Sequence, residues 1–340
     1  MIAARRWLEV AAVAAVVIAF ALILGKNAQV GASQRLINVS YDPTRELYQT
    51  LNPLFVAAYE KQTGRHLTMV QSHGGSSRQA RRVIAGEQTA DVVTLGVCSD
   101  IGALQKHGLI APGWRERLPN HAVPYTSTVV FVVRKGNPRH IADWPDLLAP
   151  DVEIVTPDPR TSGNGKLAAL AAWASVVARG GTEEQARAFL TALYQHAAAL
   201  DEGARDAAIR FALQDTGDVH LTWENEAIRE TAEANGNLQI IYPPISVLAE
   251  PCVARVDRLT ERSGNRQAAD AYLAFLFSDA AQEAIARLGY RPLRPGQGGA
   301  AFPDIDRVPV SMIAGDWDDA NEKFFGENGI IDTILGSRRR

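Results

Sequence analysis

Asn38-Val39-Ser40-Tyr41-Asp42-Pro43-Thr44-Arg45-Glu46-Leu47-Tyr48 passes from one regular structure into another within a few residues. Leu36–Ser40 has the short apolar run of a strand. Asp42-Pro43 then reads as a helix N-cap with proline at the first helical position, where its missing N–H removes no bond. Leu47, Tyr48, Leu51, Phe55, Ala58 and Tyr59 recur at helical spacing until Gly64. Pro53 lies inside the run and predicts a kink or a split.

The same alternation continues outward. Leu67–Gln71 reads as a strand, and a helix over about Ser76–Ala85 follows, with Ser76 and Gln79 in capping-box spacing. Asp91–Leu95 reads as a buried strand followed by a short helix that stops near Gly108. Further strands are predicted at Thr128–Arg134, Val152–Thr156, Val219–Thr222 and Leu238–Tyr242. Helices are predicted near Gly163–Ala178, Glu183–His196, Ala204–Leu213, Glu224–Asn235 and Arg266–Leu288. Strands separated by helices specify an α/β protein with mainly parallel sheets flanked by helices. The units are too many for one sheet, so two lobes around a hinged cleft are expected. Tyr125–Thr128 and Ile245–Glu250 are extended and bracket the middle third. As crossovers they would assign 33–125 plus about 246–340 to lobe 1 and 126–245 to lobe 2. The last stretch is loop-rich and ends in Ser337-Arg338-Arg339-Arg340, the composition of a solvated tail.

The 340 residues suffice for such a pair of lobes, and a formal net charge of -3 gives no general attraction to nucleic acid or to an anionic membrane. At the N-terminus Arg5 and Arg6 precede an apolar run from about Leu8 to Leu24, and Val30-Gly31-Ala32 has the spacing of a signal-peptidase site. Residues 1–32 therefore read as an export signal cleaved after Ala32, or, if uncleaved, as a membrane anchor. Cys98 and Cys252 form no metal-ligand spacing. Either a disulfide or two buried free thiols fits, and the reading leans to free thiols.

Three loops share one design: small residues immediately ahead of a helix. They are His73-Gly74-Gly75-Ser76, Thr161-Ser162-Gly163-Asn164-Gly165 and Glu202-Gly203-Ala204-Arg205. A helix start offers unpaired N–H groups and the positive end of the dipole, and small residues let an anion approach them. Nucleotide chemistry is excluded at the second loop. Arg160 stands where a P-loop needs glycine, and Leu167 follows Lys166 where Ser or Thr is needed. The seven histidines show no metal-ligand spacing, and no GxSxG elbow occurs. Glu224 and Glu226, two apart on a helix, point in different directions and read as first-turn acids rather than an acid–base pair. No catalytic set, metal site or cofactor is indicated.

With their neighbours, these loops identify a family. Asn38–Tyr48, Gln71-Ser72-His73-Gly74-Gly75-Ser76, Ala90–Leu95, Pro124-Tyr125-Thr126-Ser127-Thr128 and Arg134-Lys135-Gly136-Asn137-Pro138 match in order. Thr161-Ser162-Gly163, Gly203-Ala204-Arg205, Trp223-Glu224-Asn225-Glu226 and Leu248-Ala249-Glu250-Pro251 complete the set. Across most of 36–295 the chain resembles the bacterial periplasmic sulfate- and thiosulfate-binding proteins of ABC transporters. The resemblance implies a two-lobed, type II-like periplasmic-binding-protein fold and a monomer that captures sulfate or thiosulfate in the periplasm. The anion would be delivered unaltered to ABC permease subunits. It also implies ligand donors at Ser76, Ser162, Gly163, Asn164, Ala204 and the Trp223 indole, with Asp42 at the cleft organising hydrogen bonds. Arg45, Lys166 and Arg205 would support that network by pairing with carboxylates such as Asp42. A pocket of donors alone leaves the proton of a protonated oxyanion unpaired and so disfavours it.

The chain departs from the commonest family pattern at three positions. Asn164 stands for a second glycine, Lys166 for a frequent arginine, and Glu202 for a small residue before Gly203. Glu202 beside an anion must point away or pair with a base. These departures bear on sulfate against thiosulfate or another oxyanion. Other readings are a membrane-tethered anion sensor and an anion-site hydrolase, the latter lacking a visible nucleophile or metal set.

Overall fold

The computed structural model describes residues 34–296 and 301–337. The signal or anchor reading of 1–32 and the arginines 338–340 lie outside them. Among the described residues no helix is long and apolar enough to cross a membrane.

Two sheets carry the fold. Strand β1 (Gln34–Tyr41) leads through a single 3-10 turn into α1 (Arg45–Thr63), then β2 (Leu67–Gly74), α2 (Ser76–Ile84), β3 (Val92–Leu95) and α3 (Cys98–Lys106). The chain crosses to β4 (Val129–Arg134), β5 (Ile154–Pro157), α4 (Gly163–Val177), α5 (Glu183–Gln195), β6 (Ala197–Asp201), α6 (Ala204–Gln214), β7 (Val219–Trp223), α7 (Glu224–Glu233) and β8 (Leu238–Ile241). It returns through β9 (Ile245–Val247) to β10 (Cys252–Arg255), then runs into α8 (Arg266–Phe275), α9 (Asp279–Arg287) and β11 (Asp306–Val308). One sheet has the order β10-β3-β1-β2 and the other β6-β5-β7-β4-β8. Each is mainly parallel except at the first strand after a crossing: β10 runs antiparallel to β3, and β4 antiparallel to β7 and β8. The two crossings lie side by side, Ser127 and Ala249 exchanging N–H···O bonds of 3.0 Å, while Thr126 does the same with Arg291.

Local chemistry departs from the sequence expectations at several points. Asp42 is not an N-cap; its carboxylate accepts from Arg45 Nη2 at 2.9 Å. Helix α1 is not split at Pro53, because that residue lies on the exposed face, where water can meet the carbonyl it leaves free. The Ser76–Gln79 capping box does not form. Gly75 is the N-cap of α2, and Gln79 Nε2 instead donates to Ser40 O and Ser72 Oγ, tying α2 to β1 and β2. The helix expected over Arg266–Leu288 is two, because Ser278 caps the second by accepting from Ala281 N.

The two largest corrections are tertiary. Cys98 and Cys252 form a disulfide, not free thiols: pairing of β10 with β3 brings their Cα atoms to 5.1 Å across 154 residues of sequence. The C-terminal stretch is not a solvated loop up to Ser337. Helix α10 (Ile330–Ser337) and the turns before it bury Trp317, Phe324, Ile330, Ile331 and Ile334, and Phe324 meets the Trp173 ring of α4 edge-on at 4.9 Å. Each buried apolar side chain of this kind contributes about 1.5–3 kcal/mol.

Candidate functional site between the two sheets

Strand ends deliver the three small-residue loops to one place. β2 ends at Gly74 and Gly75 caps α2; the loop after β5 supplies Ser162, the N-cap of α4; Gly203 caps α6; β7 ends in Trp223. Glycine makes the approach possible. A Cβ at Gly75 would lie 2.6 Å from Thr161 O and 2.8 Å from Glu202 O, so the loop of one sheet rests on two loops of the other. A Cβ at Gly163 would lie 3.1 Å from Ser76 Cβ, and one at Gly96 would lie 3.5 Å from Trp223 Cζ2. One at Gly203 would strike the Asp42 carboxylate. Asp42, Ser76, Ser162, Gly163, Asn164, Ala204 and Trp223 thus gather around one spot, every one of them buried. Gly96 and Tyr41 belong to the same wall and escaped the sequence reading; the glycine just past β3 was the available signal.

The site is built of neutral donors. The first-turn N–H groups of α2, α4 and α6 have no acceptor within their own helices. The Ser162 N–H is spent on Asp158 O at 2.9 Å, leaving its hydroxyl as the donor. That oxygen accepts weakly from Gly165 N at 3.5 Å. The Ser76 hydroxyl is committed, donating to Asp100 Oδ2 at 2.6 Å and accepting from Gly96 N at 3.0 Å, so Ser76 can serve only through its main chain. The Trp223 indole N–H is buried and meets no acceptor among the described residues. Leaving such a group unpaired costs about 1–3 kcal/mol. The Tyr41 ring, 5.4 Å from that of Trp223, holds the indole in place.

The charges form a rim of closed pairs. Arg45 takes Asp42, while Arg205 takes Glu46 at 2.9 and 3.0 Å. Lys166 Nζ reaches Asp100 at 3.0 Å, both side chains being buried, and Asn321 at 3.2 Å. Glu202 pairs with Arg78 at the exposed edge. Three of these pairs, Arg205–Glu46, Lys166–Asp100 and Glu202–Arg78, join helices or loops of opposite sheets. Burial raises the Glu46 pKa, but its own helix N–H and Arg205 outweigh that and hold it below the usual carboxylate range. Burial pushes His73 down to about 4, so it is neutral at neutral pH beside Tyr41 O. Glu224 and Glu226 do diverge: Glu224 binds Arg291 at 2.6 and 2.8 Å, and Glu226 binds Arg229 at 3.1 Å. Burial raises both carboxyls despite those arginines.

The family model described as bacterial extracellular solute-binding protein matches residues 44–291. A thiosulfate-binding protein of Pseudomonas aeruginosa is 42% identical over 93% of this chain and 96% of its own. The chain belongs to the sulfate- and thiosulfate-binding family of bacterial solute-binding proteins. A sulfate-binding protein of Escherichia coli is also 42% identical, over 88% of this chain and 92% of its own. The solved sulfate-binding protein SubI of Mycobacterium tuberculosis superposes with a TM-score of 0.77 at 31% identity, covering 86% of this chain and 99% of that one. The α/β architecture with two helix-flanked sheets is that of this solute-binding family.

Proposed function

We propose that this chain captures sulfate between its two lobes outside the cytoplasmic membrane and passes it, chemically unchanged, to the permease subunits of an ABC importer. It would work as a monomer, with 33–125 plus about 246–310 as one lobe and 126–245 as the other; the C-terminal turns and α10, expected with the first lobe, pack on α4 and α5 of the second. Asp42, Ser76, Ser162, Gly163, Asn164, Ala204 and Trp223 would surround the anion. Arg45, Lys166 and Arg205 would support them. The observation that carries this reading is the buried Trp223 N–H, without an acceptor among the described residues and set among three helix starts.

The physical balance is favourable. Removing an ion from water costs several kcal/mol after relaxation. Hydrogen bonds to a charged acceptor return about 1.5–3 kcal/mol each, and each helix end adds about 0.3–1 kcal/mol. No ligand-facing cation is needed, and the nearby ones are already paired.

Calorimetry of the exported protein against sulfate, thiosulfate, molybdate and chromate tests this. Heat with sulfate at one-to-one stoichiometry is expected; no binding of any of the four would reject the reading. Thiosulfate is the second reading, because a thiosulfate-binding relative matches as well as a sulfate-binding one. Turnover of an aryl sulfate by the metal-free protein would instead favour a hydrolase. Mass spectrometry of the mature N-terminus separates a released receptor from an anchored one.

A further inference from the structure

The side chain of Asn164 does something the rest of the pocket does not. Asn164 sits in the first turn of α4, next to Gly163, which faces Ser76 and Gly96 across the cleft. It is 2% exposed. Its amide nitrogen faces two acceptors at the end of β7, Leu221 O and Thr222 Oγ1, each at 3.5 Å. Those contacts orient the carboxamide, and its oxygen is left buried with no donor among the described residues. The residue after Thr222 is Trp223, whose indole N–H is likewise unpaired. A buried acceptor of this kind is stabilised only by an O–H or N–H brought to it. A fully deprotonated oxyanion has none to give; a singly protonated one has one. Of the carboxylates at the cleft, Asp42 accepts from Arg45 through Oδ1, and Asp206 lies beside it at the start of α6.

We propose that Asn164 is a specificity-determining residue: its carboxamide oxygen lets this cleft hold a singly protonated oxyanion, by accepting the ligand's O–H while the helix starts and Trp223 serve its other oxygens. This rests on the anion-receptor reading and deepens it. A glycine at that position would remove this neutral acceptor, and the ligand's proton would lose its partner on α4. With Asn164 present, that discrimination weakens.

Selenate and selenite make the probe pair. Selenate carries no proton at neutral pH, whereas selenite there is mostly hydrogenselenite and loses its proton in mild alkali. Calorimetry on the wild-type protein should show binding of both at neutral pH. Selenite affinity should then fall as the solution is made mildly alkaline, while selenate affinity stays level. Selenite affinity that rises on deprotonation, or selenite that never binds where selenate does, overturns the proposal and leaves the receptor reading standing. If neither selenate nor sulfate binds, the receptor reading itself has failed. In Asn164→Gly, the preference for selenate over hydrogenselenite should grow about tenfold, the scale of one lost hydrogen bond. An unchanged ratio in a folded variant also overturns the role assigned to Asn164.

Discussion

The centre of the cleft and its rim are built on opposite principles. At the centre, the donors are neutral: helix starts at Ser76, Gly163 and Ala204, the Ser162 hydroxyl and the Trp223 indole. At the rim, a short distance away, the groups are charged and several pair across the two sheets, as in Lys166–Asp100, Arg205–Glu46 and Arg78–Glu202. The difference separates two tasks. Neutral dipoles can surround an anion without binding it irreversibly and without attracting a protein carboxylate in its absence. Ion pairs between the sheets reward the closed arrangement whether or not they touch ligand.

Breaking closure itself should have the largest effect. Gly75 has φ -56° and ψ 131°, a conformation any residue can adopt, so a substitution there acts through contact alone. In Gly75→Val the new side chain meets the backbone carbonyls of Thr161 and Glu202, which cannot swing aside. Sulfate affinity should drop by about a hundredfold or more, the scale of a loss near 3 kcal/mol, with the melting temperature of the ligand-free protein little changed. Near-normal affinity would mean that the anion is not enclosed by contact of these loops.

Trp223→Phe and Ser162→Ala probe the centre. Each deletes one neutral donor worth about 1.5–3 kcal/mol to a charged acceptor, so calorimetry should show about 10- to 100-fold weaker binding. Arg205→Ala probes the rim. Its pair with Glu46 is partly exposed, and such pairs contribute about 0.2–1 kcal/mol. Binding should weaken about two- to fivefold, and less at high salt. Glu226, also near Arg205, keeps Arg229 at 3.1 Å, which limits the damage.

A pH slope in stability is read separately from these affinities. His73 has a folded pKa of about 4 against an ordinary 6.5, so the unfolded chain binds the extra proton first. The stability it contributes is complete above pH 6.5 and is lost progressively as pH falls towards 4. Thermal melts over that range should be steeper for the wild type than for His73→Gln; identical slopes would place the titration elsewhere.

Much of this contrast was legible in the sequence. The order of strands and helices follows from apolar spacing and punctuation, and the three loops stand out because small residues precede each helix. The neutral centre, though, was implied by family resemblance more than by spacing. The rim was less legible. That Glu202 must point away or pair with a base was readable, but that Arg78 is the base depends on two sheets meeting at Gly75. Arg205 with Glu46 has the same origin. The disulfide was missed because nothing local relates Cys98 to Cys252 until β10 lies beside β3. Strand β6 was missed because Ala197-Ala198-Ala199-Leu200-Asp201 has weak strand propensity and is held by its neighbour β5. The C-terminal turns read as loop because their Gly, Asp and Asn residues mask Trp317, Phe324 and the isoleucines that pack on α4 and α5. The break at Ser278 was visible in Ser278-Asp279 and was overridden by the apolar period on either side.

If neutral donors bind the anion and charged pairs close the cleft over it, the two groups differ in what their loss costs. The sulfate dissociation constants of Trp223→Phe and Arg205→Ala, by titration calorimetry in one buffer, separate them. One-to-one binding is expected, with the tryptophan variant weakened about tenfold or more and the arginine variant by less than about fivefold. The reverse order, with Trp223→Phe binding like the wild type, would contradict it.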